Sequence, residues 1–481
     1  MASSPEKIQA AETLDLIIVG AGVSGINCAY RLQTEFPHAK FTIFENREDI
    51  GGTWDLFKYP GIRSDSDLHT YAFTWNPWPH SNPIVEGPLI VQYLKKCVSQ
   101  YGIDRYIRFG HKVLSMNWSS KEQQWTTLVS HDGLVKEFKS RFVVLGTGYY
   151  DYETPRQTTI PGIENFKGKV IHPQFWPEEF DYTDQKMVII GSGATAITLL
   201  PNLAKKAGRV TMVQRSPSYI LSVKNRDPGP PWMNKYLRVC YAFFFYMTAV
   251  FCYYFPNYSR NALLKFASRQ LPKSVSVDPH FSPRYNPWDQ RLCFAPDGDF
   301  YQAFHDPRTT VVTGRIKQVT ENAVEMEDGQ VIDADVIVTA TGLKMQLGGK
   351  IDISVDGGKM EWKDKIVWNG SMIQDVPNLF FVMGYTNIAW TLGADATMFI
   401  LVRLLKYMGS RGATTATPRV PKDANLNLQK FWQLNSTYSL EAESQLPKYG
   451  DIGPWKPRGN IPADYIHARW GDITTGLQFS T

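Results

Sequence analysis

The chain has 481 residues, more than a single hydrophobic core holds, so two or three domains are expected. Apolar residues make up 43% and charged residues 20%, an ordinary globular balance, and the net charge of +5 is not gathered into a basic run, which speaks against nucleic-acid binding. The five cysteines (Cys28, Cys97, Cys240, Cys252, Cys293) form no Cys-x-x-Cys pair, which fits a reducing compartment and removes the dithiol that a disulfide reductase needs. Met1 to Thr13 lack the apolar stretch of a secretory signal, so the cytoplasm is the expected location.

The first predicted strand, Leu14 to Val19, runs into Gly20-Ala21-Gly22-Val23-Ser24-Gly25 and then a helix. Each glycine has a task in a dinucleotide loop. Gly20 permits the tight turn, Gly22 lets the backbone approach a pyrophosphate, and Gly25 lets helix and strand pack closely, while the helix N-terminus offers free N–H groups. A second strand, Phe41 to Phe44, ends in Glu45, the acid expected about 20 residues after the last glycine to hold ribose hydroxyls. Trp118 to Phe138 has a hairpin pattern, and a strand from Phe142 to Leu145 closes the unit at Gly146-Thr147-Gly148.

A second unit repeats the first. Met187 to Ile190 enters Gly191-Ser192-Gly193-Ala194-Thr195-Ala196, and a strand from Val210 to Val213 follows. Laying VTMVQRS over FTIFENR puts Gln214 where Glu45 stands, with Arg215 beside it. The anion that would repel a 2′-phosphate is gone, and Arg215, helped by the Ser216 hydroxyl, can pair with a phosphate dianion. The first site therefore reads as FAD and the second as NADPH, a solvated surface arginine being the alternative for Arg215.

Pro155, Pro161 and Gly162 punctuate the chain between the units. A strand from Val336 to Val338 ends in Ala340-Thr341-Gly342, and another, Leu379 to Gly384, returns to the first unit. The expected fold is α/β, with two three-layer, Rossmann-like dinucleotide-binding domains, the NADPH domain inserted into the FAD domain. The boundaries read as 1–150 and 343–481 for the FAD domain with a C-terminal tail, 151–216 and 293–342 for the NADPH domain, and 217–292 for a mostly helical insert. Within the insert, Val239 to Phe255 is an uncharged, aromatic-rich run at the lower limit of the about 20 residues a membrane span needs. Three readings stay open for it: a buried or pocket-lining helix, a helix lying on a membrane surface, and a span. The tail from Thr414 carries no legible motif.

Between the glycine loops, Phe166, Gly168, His172, Trp176 and Pro177 stand at the spacing F-x-G-x-x-x-H-x-x-x-W-P. At every defined position this resembles the fingerprint of the type I Baeyer-Villiger monooxygenases. The likeness covers nearly the whole chain, through GGTWDLFKYPGIRSDSD from Gly51, QRSPSYI from Gln214, YNPWDQRLC from Tyr285, TATGL from Thr339 and GYTNIAWTL from Gly384. Within that family the chain is most similar to the bacterial monooxygenases that activate thioamide prodrugs such as ethionamide. The likeness weakens in the insert and the tail, where substrate choice is expected to lie.

The resemblance implies an enzyme that uses NADPH, FAD and O2 to convert ketones to esters or lactones through a flavin C4a-peroxide, with sulfoxidation of thioethers besides; no metal is called for. It places Arg291 as the active-site arginine, a fixed cation that favours the peroxide anion, and Asp65 as the carboxylate that positions it. It assigns Gly52, Trp54, Tyr59, Pro60, Asp65 and Tyr71 to the flavin site, closed by Thr386, Asn387 and Trp390, and adds Thr341 and Gly342 to the cofactor-binding residues. His172 belongs to the segment linking the domains and is expected to position rather than carry protons.

Two departures stand out. Phe57-Lys58 occupies a place where many relatives have Asn-Arg, and Gln290 precedes Arg291 where the family commonly has Lys. With Gln290 there, Arg215 carries most of the discrimination against NADH, and the preference for NADPH is expected to be weaker than in Lys-bearing relatives. Two rival readings stay open: S- or N-oxygenation as the main reaction, and a nucleotide-binding flavoprotein without turnover.

Overall fold

The computed structural model describes residues 11–226, 234–290, 292–385, 388–432 and 437–481, without the side chains of 234 and 235. Three expected site positions, Arg291, Thr386 and Asn387, lie outside the described residues.

The first sheet opens with β1 (Glu12–Val19), turns at the glycine loop into α1 (Val23–Glu35), and returns as β2 (Phe41–Phe44), parallel to β1 with Val19 opposite Phe44. The stretch expected as one hairpin is a three-stranded meander of β3 (Lys112–Ser119), β4 (Gln124–His131) and β5 (Leu134–Leu145), because β5 continues past its turn into the core. Its start is antiparallel to β4, and its apolar end, Phe142 to Leu145, lies parallel to β1.

The second sheet is built from β6 (Lys169–Ile171), β7 (Lys186–Ile190), β8 (Arg209–Gln214), β9 (Thr309–Thr313) and β10 (Val336–Thr339). It is parallel throughout, in the order β9-β8-β7-β10-β6, and α2 (Ala194–Leu203) links β7 to β8.

Between β8 and β9 stands the insert. Its stem is a strand pair that local patterning did not announce, Ile220–Val223 running parallel to Cys293–Pro296. Beyond the stem come α3 (Asn234–Tyr254) and α4 (Pro256–Ser268). One face of α3 packs on the protein: Tyr241 stacks on His69 at 5.5 Å between centroids, Phe245 meets Phe294 edge-on at 5.3 Å, and Arg238 reaches Asp395 at 3.2 Å. The opposite face, with Phe243, Phe244 and Met247, is exposed. Of the three readings open for Val239 to Phe255, the pocket-lining one fits the packed side of the helix, while the other side is exposed.

After the second sheet, β11 (Leu379–Phe381) returns to the first and pairs with β5, Leu379 opposite Val143, and α5 (Trp390–Arg411) packs across α1. The nesting expected from the sequence is therefore present. Alternate residues of β1 serve two cores, as a strand buried on both faces must: Leu16 and Ile18 pack with α1 and α5, Ile17 and Val19 with Trp118 and Trp125 of the meander.

Candidate nucleotide-binding and active site

The two glycine loops share one backbone geometry. Gly20 (φ +99°) and Gly191 (φ +141°) adopt conformations that side chains rarely take. A Cβ would lie 2.8 Å from the Gly146 carbonyl oxygen at the first and 2.2 Å from that of Ala340 at the second. Gly25 is equally constrained, since its Cβ would stand 1.9 Å from the Gly20 carbonyl oxygen. The middle glycines differ. Gly22 (φ −77°, ψ −174°) and Gly193 (φ −83°, ψ −178°) have extended backbones open to any residue. A Cβ on Gly22 would meet only the Gly52 backbone at an ordinary 3.7 Å, and one on Gly193 would meet nothing within 4 Å. The fold itself does not require glycine at these two positions. A pyrophosphate brought against the N-termini of α1 and α2 does.

Glu45 ends β2, buried, and its carboxylate accepts the Ala21 N–H at 2.7 Å and the Arg47 N–H at 2.9 Å. Burial pushes its carboxyl up, and these amides draw it back. It borders a cleft of about 120 Å³ that also touches Gly20, Gly22, Gly52 and Lys350. Its counterpart Gln214 is turned away: the buried amide donates to the His280 carbonyl at 2.7 Å and the Thr313 hydroxyl at 3.0 Å. The rim is left to the exposed Arg215 and Ser216. Arg215 donates to the Thr437 hydroxyl at 3.1 Å, and Ser192 ties the second loop to the Ser216 carbonyl at 2.7 Å. Ala196, fully buried, stands where the first loop has Gly25.

A cavity of about 230 Å³ joins the units. Gly22, Gly52, Trp54, Asp65 and Tyr71 line it together with Ala194 and Thr195 of the second unit. The Trp54 indole N–H donates to the Tyr71 hydroxyl at 2.7 Å. Trp390 donates to the Ser24 hydroxyl at 3.0 Å and stacks on Tyr149 with centroids 5.0 Å apart. Two residues before Asp65, Arg63 is paired with Asp299, which fastens this loop to the second unit. Tyr59, also on the cavity wall, is buried; burial and the Asp65 carboxylate push its phenol up against the pull of Thr195 and Arg63.

The joining segment is packed rather than open. Phe166 and Trp176 are buried, and a Cβ on Gly168 would lie 2.3 Å from the Asp335 carbonyl oxygen. His172 Nδ1 accepts the Gln174 N–H at 3.2 Å, and Pro177 accepts that of Phe180 at 3.1 Å. Burial pushes the His172 imidazole down, with the Arg156 cation adding to the effect and the Gly342 backbone opposing it. Beside it, Arg156 donates to the Thr341 carbonyl at 2.5 Å and to Glu441 of the tail at 2.7 Å, so Thr341 and Gly342 sit at a junction of three chain segments.

Sequence reasoning missed a larger cavity of about 610 Å³ next to the first. Tyr246 and Val250 of α3, Pro287 and Trp288 of the segment leading to position 291, and Trp432 of the tail line it, and it shares Tyr385 and Ile388 with the smaller cavity. Tyr385 donates to Asp464 at 2.7 Å. Also missed was Asp151, a buried carboxylate with Lys344 at 3.0 Å and Lys350 at 2.8 Å. Burial alone would raise its carboxyl, but the lysines and the Glu153 and Thr154 amides outweigh that and hold it at about 2.

Two dinucleotide cradles facing a common cavity define the class, and the chain belongs to the flavin-binding monooxygenase-like family, matched over residues 14–257. Along its whole length it is similar to the FAD-containing monooxygenase EthA of Mycolicibacterium smegmatis, with 42% identity over 96% of each chain. The protein of the same name from Mycobacterium tuberculosis is 40% identical over 98% of each chain. The fold matches cyclohexanone monooxygenase from Rhodococcus sp. Phi1 bound to NADP+, with a TM-score of 0.74 and 19% identity over 98% of this chain and all of that one.

Proposed function

We propose that the protein is an NADPH- and O2-dependent FAD monooxygenase that inserts one oxygen atom beside the carbonyl of an apolar ketone, giving an ester or lactone, and oxygenates thioethers as a side reaction. The observation that carries this reading is the meeting of both cradles at one cavity, with Gly22, Trp54 and Asp65 from one unit and Ala194 and Thr195 from the other. The open space at Gly22 and Gly193 fits the two cofactors.

In this reading FAD lies along Gly20, Gly22, Gly25 and Gly52, with Glu45 at its ribose and Trp54, Asp65 and Tyr71 at its ring. NADPH lies along Gly191, Gly193, Thr195 and Ala196, with Arg215 and Ser216 at its 2′-phosphate and Thr341 and Gly342 behind it. When bound, the pair supplies hydride transfer and O2 activation. The chain supplies orientation, dryness and charge. Asp65 positions Arg291, and that fixed cation stabilises negative charge developing on oxygen. Phe166, Gly168, His172, Trp176 and Pro177 hold the joining segment. The aromatic wall of the larger cavity, which leads to Tyr385 and Ile388, suits an apolar substrate.

Incubating purified protein with NADPH, O2 and equal amounts of an apolar ketone and a thioether tests the proposal. Ester or lactone as the main product is the expected result. Sulfoxide alone would move the main reaction to sulfur, and flavin-loaded protein that never oxidises NADPH would refute turnover altogether.

A further inference from the structure

One side of α3 is exposed and apolar. Residues Tyr236 to Tyr254 are long and apolar enough to cross a membrane, yet only 6% of that window is buried. Tyr236, Val239, Phe243, Phe244, Met247, Phe251 and Tyr254 recur at helical spacing along one side, joined past the helix end by Phe255 and by Tyr258 of α4, each between 43% and 69% exposed. With an aromatic side chain presenting about 200 Å² in all, these exposures leave on the order of 1,000 Å² of apolar surface bare, beyond the ~300–600 Å² of an ordinary monomer's largest patch. A helix apolar all round is normally covered on every side.

Charge indicates what covers it. Between Asp227 and Asp278 the sequence has no acidic residue and six basic ones, Lys235, Arg238, Arg260, Lys265, Arg269 and Lys273. Lys265, Arg269 and Lys273 are exposed. A second copy bound face to face would set these cations against their own equivalents with no acid of the stretch to pair them. A span is ruled out by the packed side, where Arg238, Tyr241 and Phe245 are held by Asp395, His69 and Phe294. We infer that the exposed face of α3 and the start of α4 dock the protein on an anionic lipid surface, the aromatic rings entering the headgroup layer and Lys265 of α4, with Arg269 and Lys273 just beyond its end, meeting lipid phosphates. The same helix walls the larger cavity through Tyr246 and Val250. A lipid-dissolved substrate would then reach that cavity beside the helix that holds the protein to the membrane.

The test is co-sedimentation of the full-length, flavin-loaded protein with phosphatidylcholine vesicles and with vesicles containing phosphatidylglycerol as well. Pelleting is expected with the anionic vesicles and should weaken with salt. Phe243→Ser combined with Met247→Ser should lower binding about thirtyfold or more. Lys265→Ala with Arg269→Ala should lower it about twentyfold on anionic vesicles only. Flavin content and NADPH oxidation of both variants should match the parent, which shows that they fold. Failure to pellet with either vesicle overturns the inference. So does a concentration-dependent dimer that the Phe243→Ser pair dissolves, since a second copy would then cover the face.

Discussion

Replacing Arg215 with alanine isolates the choice between the two nicotinamide cofactors. At the matching place in the first unit stands the Glu45 carboxylate; here Gln214 carries no charge and donates its amide to the His280 carbonyl and the Thr313 hydroxyl. The guanidinium of Arg215 is exposed and hydrogen-bonded to a neutral hydroxyl, that of Thr437. Its charge is thus available to a 2′-phosphate. A hydrogen bond to a charged group contributes about 1.5–3 kcal/mol, and exposure favours the lower half of that range. A loss of about 1.5–2 kcal/mol corresponds to a factor of roughly 10–30. Arg215→Ala should therefore raise KM for NADPH about 10–30-fold and leave KM for NADH, which has no phosphate there, unchanged. Steady-state oxidation of each cofactor, at low and high salt, reads this directly, and salt should shrink the parent's preference but not the variant's. An equal rise in both KM values would show that Arg215 supports the loop through Thr437 and recognises no phosphate.

Three further outcomes follow from the geometry. Gly22→Ala and Gly193→Ala should fold normally and fail to retain FAD and NADP+ respectively, whereas Gly25→Ala, whose Cβ would stand 1.9 Å from the Gly20 carbonyl oxygen, should lose folded yield; circular dichroism and cofactor binding together separate the two classes. Asp151→Asn should lower stability to urea by about 1–2 kcal/mol at neutral pH, the full shift discounted for its half-exposed lysine partners. Because burial and its partners leave the folded carboxyl at about 2, below its ordinary value of 3.8, that stability is complete above the ordinary value and lost as pH falls towards the folded one. The gap between parent and variant should thus be about half gone near pH ~3, and a gap that widens on acidification would contradict the pairing. His172→Asn should slow turnover and leave the shape of its pH profile as in the parent, because the ring accepts the Gln174 N–H and burial pushes its imidazole down from the ordinary value; a lost limb in that profile would make His172 a proton carrier.

Most of the nucleotide-binding architecture was legible because its signals are local. A strand, three glycines and a helix form within a few residues, and the switch from Glu45 to Gln214 and Arg215 shows on simple superposition of the two units. Two other parts of the site were not legible, for physical reasons. Trp432, Tyr385 and Asp464 lie in different stretches of chain and meet only once the tail has wrapped the first sheet, so no spacing betrays them. The bare face of α3 was hidden because a buried and an exposed aromatic stripe are written with the same letters; only the packing of Tyr241 and Phe245 on His69 and Phe294, and the exposure of the opposite side, tell them apart. The middle glycines also changed in meaning. In sequence the three glycines of the first loop and the two of the second are the same letter, and the space around a hypothetical Cβ separates the crowded Gly20, Gly25 and Gly191 from the open Gly22 and Gly193.

The nested order of strands sets a timetable for folding. Every strand of the second sheet lies within 169–339, so that unit can finish while the first still waits for β11. On a ribosome, the edge of β5 from Val143 to Leu145 stays unpaired on one side until Leu379 to Phe381 have emerged. An open apolar strand edge is a template for pairing with other chains. A chain cut short before Leu379 would carry a complete second sheet beside a permanently unsealed first one, and insolubility is its expected fate.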